Sequence, residues 1–430
     1  MICKEIISVG VCITLMCLTA TSTWQTSFLI PKWLQQLPDE NLTGVPKSMM
    51  QLESRMLYPT RRFLQNMFSS QSLVNKSWML QRTQRRMLKS TKPFCNTNGT
   101  RSATRPSSVH ELRPGDIDVI GAVGDSLTVG TGSFSFILPQ LMVDHRGVSW
   151  TGGGQGTWKE FLTLPNILKV FNPKLIGYAY GDSLAEERFS QFNVAEVGAL
   201  SKDTLFMTKE LVKRIKMDKR VNLNDDWKMI SLMLGSNTIC LEICYIDYTK
   251  YAEKHRENIL SALLYIKENL PRTLVNIILS PNLKILLEFN NLPPICSLTH
   301  IVECPCLYAT QYKDKLPEFI KLMTRFQEIE KEIVEIEELK DKEDFAVVLQ
   351  TFTEHITFPV NRFNSTDTSY LSSDCFHFSQ KGYARAANAL WNNIMEPVGS
   401  KSTNWSKEFD RFICPTDESP YIRTWRNSIT

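Results

Sequence analysis

The sequence predicts an α/β fold in which helices cover both faces of a central parallel sheet. Four short apolar runs rich in β-branched residues have the length of fully buried strands: DIDVIGAV, WKMISLML, TLVNIILS and DFAVVLQTF. Helical patterns over Tyr251–Leu270, Lys313–Leu339 and Gln380–Met395 lie between and after these runs. Strands that alternate with helices are typical of a parallel sheet. Since such sheets bind ligands at the carboxyl ends of their strands, the residues that follow each run are the first candidates for a functional site.

The N-terminal residues 1–22 have the pattern of a secretory signal peptide. One lysine precedes an apolar stretch from Ile6 to Leu18, and small residues then offer a cleavage site near Ala20 or Ser22. The alternative is an uncleaved membrane anchor, but the apolar stretch is short for a transmembrane helix. The polar C-terminus, YIRTWRNSIT, does not fit a glycolipid-anchor signal. We therefore expect a secreted, extracellular protein without a transmembrane anchor.

Residues 23–92 differ in composition from the rest, since they are rich in Gln, Met, Arg and Ser. One interpretation is a poorly ordered basic N-terminal arm. The other is a propeptide, which cleavage at the basic stretch RTQRR (Arg82–Arg86) would release. Both interpretations leave residues 93–430 as the folded domain. The net charge of +4 is too small to indicate a nucleic-acid partner.

Cysteines and glycosylation sequons agree with a secretory route. Three of the eleven cysteines lie in the signal peptide, and the even number that remains suggests up to four disulfides, with about 105 pairings open. Of these pairings we expect Cys95–Cys414, because domain termini often lie close together. The spacings do not match a zinc site, and we expect neither a metal nor a cofactor. The disulfide candidates are Cys95, Cys240, Cys244, Cys296, Cys304, Cys306, Cys375 and Cys414, and the sequons are at Asn41, Asn75, Asn98, Asn364 and Asn404.

The residues that follow the strands have the chemistry of a serine hydrolase. Ser126 follows the first strand, Asn237 follows the second, and Asp374 and His377 lie in a loop after the fourth. A serine hydroxyl needs a base to take its proton, and of the six histidines only His377 has an aspartate three residues before it. The Asn237 amide can donate to the oxyanion that forms on an attacked carbonyl. The other histidines, His145 among them, are expected to be surface or structural residues.

On these motifs the sequence resembles the GDSL (SGNH) hydrolase family, and within it the phospholipase B group. The stretches that carry the resemblance include SVHELRPGDIDVIGAVGDSLT, NVAEVGA, DDWKMISLMLGSN and SSDCFHFSQKGYARAANALWNNIMEPVG, and it runs from Pro93 to the C-terminus. It implies a flavodoxin-like three-layer α/β/α fold and ester hydrolysis through an acyl-enzyme, without a metal. It also implies a triad of Ser126, Asp374 and His377, with oxyanion donors from Ser126, Gly198 and Asn237.

The sequence departs from the family pattern at two places. The block that usually reads Gly-x-Asn-Asp is Gly235-Ser236-Asn237-Thr238, which predicts altered support of its loop. The stretch TGGGQG carries Gln155 where an acidic residue is usual, and it lacks the ending of a nucleotide-binding loop. We interpret it as a flexible loop near the site. Within the catalytic loop, Cys375 is expected to form a disulfide that holds the loop in place.

The tetrapeptide GDSL occurs twice, at Ser126 and at Ser183, and only the first serine fits the rest of the site. The oxyanion glycine should follow a parallel strand, and Ser183 precedes Gly198 by too few residues for a helix and a returning strand. In the first copy Asp125 is expected to cap the helix that follows it. The second copy, followed by AEERF, predicts an ordinary polar helix with Asp182 or Ser183 as its cap.

Together these observations predict a secreted serine ester hydrolase of the phospholipase B or lysophospholipase type. Its substrate would be an acyl lipid at a membrane or micelle surface. One alternative is a secreted glycoprotein with weak or no activity that keeps the fold to bind lipid or a protein partner. Another is a carbohydrate acetyl esterase, which uses the same triad.

Overall fold

A computed structural model describes residues 58–68, 71–245 and 247–428 of the 430-residue chain. The predicted signal peptide and the sequon at Asn41 lie outside the described residues. The four other sequons, at Asn75, Asn98, Asn364 and Asn404, have exposed side chains. Within the described residues, no helix combines the length and the apolar character that a membrane crossing requires.

Four parallel strands form the central sheet, as the sequence predicts. They are β1 (Ile117–Gly124), β2 (Trp227–Met233), β3 (Thr273–Ile278) and β4 (Phe345–Gln350), and they lie side by side in chain order. Nearly all their residues are buried, because both faces of the sheet are covered. Beyond β1, Phe192–Ala195 runs parallel to its carboxyl end, with a bridge between Ala122 and Asn193.

Twelve helices are present in the described part of the chain. They are α1 (58–68), α2 (Gln71–Met79), α3 (Ser126–Val129), α4 (Leu164–Phe171), α5 (Thr204–Met217), α6 (Ser236–Leu241), α7 (Tyr251–Asn269), α8 (Lys284–Leu287), α9 (Pro294–Glu303), α10 (Pro305–Tyr308), α11 (Leu316–Ile333) and α12 (Gln380–Met395). The predicted helix over Lys313–Leu339 is shorter than expected. It begins at Leu316 because Pro317, which lacks an N–H, fits only in a first turn.

The sheet separates two hydrophobic layers, which gives the predicted α/β/α architecture. On one face the strands pack against α5, α7 and α11, one helix from each crossover, through side chains such as Leu211, Leu263 and Ile329. On the other face they pack against α4 and α12, through side chains such as Ile167 and Trp391. Burial of each such side chain contributes roughly 1.5–3 kcal/mol, so both layers stabilise the sheet that carries the site.

The described part of the N-terminal arm packs against the domain. Ser77 Oγ donates to the Phe134 carbonyl at 2.7 Å. The side chain of Gln84 is buried: its Oε1 accepts from Gln380 Nε2, and its Nε2 donates to the Trp158 carbonyl. The backbone N–H of Gln84 donates to Gln380 Oε1. The arm therefore contacts the domain at Ser77 and Gln84, and both interpretations of residues 23–92 stay predictions. Within RTQRR the side chain of Gln84 is buried, while Arg85 and Arg86 are exposed.

All eight cysteines between residues 95 and 414 are paired. Cys95–Cys414 joins the two ends of the domain, as the sequence predicts. The other three disulfides are Cys240–Cys304, Cys244–Cys306 and Cys296–Cys375. The first two connect the region of Cys304 and α10 to α6 and the turn after it, and the third connects α9 to the loop that contains Asp374 and His377.

Candidate active site

Ser126 lies at the first turn after β1, where the backbone changes from strand to helix. It is the first residue of α3, and the Asp125 carboxylate caps that helix by accepting from Leu127 N at 3.0 Å, as expected. Gly124 leaves room for the turn, since a Cβ there would lie 2.1 Å from Thr128 Oγ1. The motif thus fixes the serine at the carboxyl end of the central sheet, where it is largely buried.

The structure brings Ser126, His377 and Asp374 into one hydrogen-bonded row. His377 Nε2 lies 2.8 Å from Ser126 Oγ, and His377 Nδ1 lies 2.6 Å from Asp374 Oδ2. Asp374 Oδ1 accepts from Ser372 Oγ at 2.6 Å and from the N–H groups of Phe376 and His377 at 3.0 Å. The aspartate therefore fixes both the loop and the orientation of the imidazole.

Burial and charge have opposite effects on the pKa values of Asp374 and His377. Burial alone would raise the pKa of Asp374, but the His377 imidazolium and three hydrogen bonds lower the pKa of this carboxyl below its ordinary value. Burial alone would lower the pKa of His377, but the adjacent Asp374 carboxylate raises the pKa of the imidazole above its ordinary value. Asp125, fully buried nearby, has a pKa of about 6 because of that burial.

A third carboxylate, Glu303, lies beside Asp374 and His377, and no local sequence pattern marks it. It is the last residue of α9, and one of its oxygens lies within 4.8 Å of atoms of both Asp374 and His377. Burial raises the pKa of Glu303, the His377 imidazolium opposes that effect, and the Asp374 charge adds to it. The three side chains could hold a metal ion only if His377 gave up a hydrogen bond, because both its ring nitrogens already have partners.

The predicted oxyanion residues lie at the same edge of the sheet as Ser126. Gly198, with φ +77°, follows the segment that runs beside β1, where Glu196 N donates to the Gly124 carbonyl. Asn237 is the second residue of α6, and its Nδ2 donates to the Ala199 carbonyl at 3.0 Å. This bond joins the loop of Gly198 to the helix of Asn237. The second hydrogen of the same amide is available to another acceptor.

Thr238 supports the loop in place of the aspartate that is usual in the family. Its Oγ1 accepts from Ser201 N at 2.9 Å, and Ser201 Oγ in turn lies 2.8 Å from His255 Nδ1. The other ring nitrogen of His255 lies 3.0 Å from Glu330 Oε1. His255 therefore has a structural role, since this buried network connects the Gly198 loop to α7 and α11.

Ser183 takes no part in the hydrogen-bonded row of Ser126, His377 and Asp374, and the helix predicted to begin at Ser183 does not form. Residues 181–187 form turns instead. The fully buried guanidinium of Arg146 donates to the Ser183 carbonyl at 2.8 Å and to Asp144 Oδ2 at 3.0 Å, so it orders the chain in an irregular path. Asp182 pairs with His145 Nδ1 at 2.9 Å instead of capping a helix.

The glycine-rich stretch TGGGQG is not the flexible loop near the site that the sequence suggests. Its residues Thr151–Gly154 are buried. A Cβ at Gly154 would lie 2.1 Å from the Tyr178 ring, so close packing explains this glycine. Gln155 lines a different cavity, formed with residues of the N-terminal arm that include Trp78 and Met87. It does not contact the pocket at Ser126.

A largely apolar pocket opens beside Ser126 and Asn237. Its walls come from the loop that holds α8, from the chain after β4 and from the catalytic loop. The apolar side chains that line it are Leu127, Leu283, Ile285, Leu286, Phe289, Ile356, Phe358, Leu371, Phe376 and Phe378. The serine therefore faces apolar side chains around a small cavity of about 60 Å³.

The fold and the site match a known class of carboxylic ester hydrolases. A family model described as GDSL-like Lipase/Acylhydrolase matches residues 120–390. The chain belongs to this family.

Within the family the chain is similar to proteins named phospholipase B1, membrane-associated. It is 37% identical over 337 residues to those of Rattus norvegicus, Mus musculus and Homo sapiens, which covers 78% of this chain. The chain spans only about a quarter of the length of these relatives (22–23%). A solved structure of phospholipase A1 from Streptomyces albidoflavus NA297 is 14% identical to this chain, with a TM-score of 0.30. The match includes 64% of this chain and 98% of the phospholipase A1 chain. That score is too low to support a conclusion.

Proposed function

We propose that this protein is a secreted serine ester hydrolase of the phospholipase B or lysophospholipase type. It cleaves acyl esters of glycerophospholipids or related lipids. The observation that carries the proposal is the apolar pocket beside a serine whose Oγ lies 2.8 Å from an imidazole nitrogen. The family membership and the phospholipase B1 relatives support an ester of a lipid as the substrate.

The reaction follows from the positions of these groups. Ser126 Oγ attacks the ester carbonyl while His377 Nε2 takes its proton, and Asp374 stabilises the imidazolium that forms. The N–H groups of Ser126 and Gly198 and the Asn237 amide receive the oxyanion, each such donor contributing on the order of 10²–10³ in rate. His377 then protonates the leaving alcohol. Water hydrolyses the acyl-enzyme by the same steps in reverse, which releases the fatty acid and restores Ser126.

Disulfides and exposed sequons support the proposed route of secretion. Four disulfides require an oxidising compartment in most organisms. Asn75, Asn98, Asn364 and Asn404 are exposed, so an oligosaccharide could be attached at each of them. Enzymatic deglycosylation of the protein from culture medium, followed by mass measurement, tests both points. A protein retained in the cytosol with free thiols would contradict the proposed route.

Filling the acyl pocket should change the preference for chain length. Leu286 lines the pocket and is buried, so Leu286→Trp should place a ring where the acyl chain lies. Each buried methylene contributes about 0.8 kcal/mol, so the loss of two or three should lower kcat/KM for a long-chain ester by about tenfold or more. Turnover of an acetyl ester should change by less than about threefold.

Leu307→Trp is the matched control for this experiment. Leu307 belongs to the same hydrophobic cluster but does not line the pocket. Leu307→Trp should lower stability without a change in chain-length preference.

The unmodified protein distinguishes the two esterase functions. If it turns over acetyl esters much faster than long-chain esters, the result would favour a carbohydrate acetyl esterase.

Removal of the third carboxylate should shift the pH dependence of the reaction. The charges that face His377 come from Asp374, Asp125 and Glu303, and Arg82 acts on Asp374. A negative Glu303 raises the pKa of His377, so Glu303→Gln should lower that pKa. Because His377 must be neutral to accept the serine proton, the acidic limb of the kcat/KM profile should move to lower pH.

Glu332→Gln serves as the control, since Glu332 is an exposed carboxylate in a salt bridge on α11, away from the site. It should leave the pH profile in place. An acidic limb that stays where it is in Glu303→Gln, or moves to higher pH, would show that Glu303 does not act on His377.

A further inference from the structure

One face of α9 is attached to the catalytic loop. Cys296 forms a disulfide with Cys375, and Thr299 Oγ1 donates to the Asp374 carbonyl at 2.6 Å. His300 Nε2 lies 3.0 Å from the Cys375 carbonyl. The chain just past α9 is attached to α6, the helix of Asn237, through Cys240–Cys304. Because it is held on both sides of the site, α9 is a fixed platform and not a hinged lid.

The opposite face of α9 is apolar and exposed. Ile295, Leu298, Ile301 and Val302 have exposed fractions of 44%, 59%, 47% and 38%. Their spacing of three and four residues places them on one side of the helix. The sequence of α9, PICSLTHIVE, contains no lysine, arginine or aspartate, and its one carboxylate, Glu303, lies beside His377. The exposed face therefore has no charged side chain of its own.

The buried side of α9 packs close to the acyl pocket. Cys296 and Cys375 form a small buried cluster with Leu371, against which Phe289 and Phe378 pack. Both phenylalanines also line the pocket beside Ser126. The buried side of α9 therefore packs against side chains that also line the pocket, while its exposed apolar face points away from them.

We propose that the exposed face of α9 docks the protein on the surface of its lipid substrate; this rests on the function proposed above. Four side chains on a ten-residue helix are too few for a stable protein–protein interface, which takes about 20–30 residues from each partner. A few apolar side chains do suffice for reversible insertion at the boundary between headgroups and acyl chains. Since α9 is bonded to the loop of Asp374 and His377, docking through its exposed face would hold the site close to the lipid surface.

The test measures vesicle binding and hydrolysis with the full-length protein. Leu298→Ser/Ile301→Ser removes the two most exposed apolar side chains of α9. We expect its partition onto phosphatidylcholine vesicles, measured by flotation, to fall at least tenfold, and its hydrolysis of the vesicle lipid to fall in proportion. Its kcat/KM for a monomeric, water-soluble acetyl ester should stay within about twofold of the unmodified protein.

Met217→Ser is the matched control. Met217 is 71% exposed and ends α5, at the far end of the sheet from Ser126, so its substitution should leave vesicle binding unchanged. The proposal is overturned if the double variant binds vesicles as well as the unmodified protein does, or if the unmodified protein does not bind them. It is also overturned if the double variant loses acetyl ester activity and vesicle hydrolysis equally. If α9-dependent binding occurs without hydrolysis of any ester, the proposed function fails while the docking surface stands.

Discussion

Ser126→Ala should remove ester hydrolysis, with a fall in kcat of about 10⁴ or more. Alanine has no oxygen to form the acyl-enzyme, and the oxyanion donors that remain supply only a small residual rate. The fold should not change, because Ser126 is a single side chain at the edge of the pocket and makes one hydrogen bond with its Oγ, to His377. Turnover of a long-chain ester and the melting temperature, measured on the same preparation, separate lost chemistry from lost structure.

Ser183→Ala provides the internal control that the repeated motif makes possible. Its Oγ donates only to the Gly181 carbonyl, at 3.4 Å, and lies in the region ordered by Arg146. We expect turnover within about twofold of the unmodified protein and a small loss of stability. If Ser183→Ala lost the activity and Ser126→Ala kept it, the assignment of the nucleophile would be wrong.

Asp374→Asn should lower kcat by about 10³–10⁴ with a smaller effect on folding. The amide oxygen can still accept from Ser372 and from the backbone, so the loop has most of its hydrogen bonds. The amide nitrogen, however, would donate to His377 Nδ1 and so favour the tautomer with its proton on Nε2. That nitrogen could then no longer accept the proton of Ser126.

Asp116→Asn tests whether the loss is specific to the site. Asp116 is also a buried carboxylate that accepts hydrogen bonds, from Ser102 and Arg113, but it lies before β1 at the other edge of the sheet. It should lower the melting temperature and leave kcat nearly unchanged. Equal losses of kcat in both variants would indicate that the effect of Asp374→Asn comes from instability.

The sequence predicted the parts of the molecule that depend on local patterns. The four strands are visible as apolar runs because a sheet covered on both faces needs apolar side chains on both of its sides. Asp125 was recognisable as a cap because capping depends on residues next to each other in the chain. The pairing of Asp374 with His377 was predictable for the same reason, since the two side chains are three residues apart.

The sequence could not predict features that depend on contacts between distant segments. Glu303 is 71 residues from Asp374 and ends an apolar helix, so nothing in its own neighbourhood marks it. The disulfide between Cys296 and Cys375 places α9, and with it Glu303, beside Asp374. The sequence does not reveal that disulfide, because eight cysteines leave about 105 pairings open. The packing of Gln84 and the buried cluster around Arg146 are also long-range. Both were missed because polar stretches such as RTQRR and AEERF are typical of solvated chain.

Labelling with a fluorophosphonate, followed by mass spectrometry of the peptides, tests the central claim most directly. The probe reacts with a serine only where a base and oxyanion donors activate it. We predict a single adduct on the peptide that contains Ser126, absent in Ser126→Ala and retained in Ser183→Ala. An adduct on the peptide with Ser183, or no adduct on protein that is folded and has all four disulfides, would contradict it.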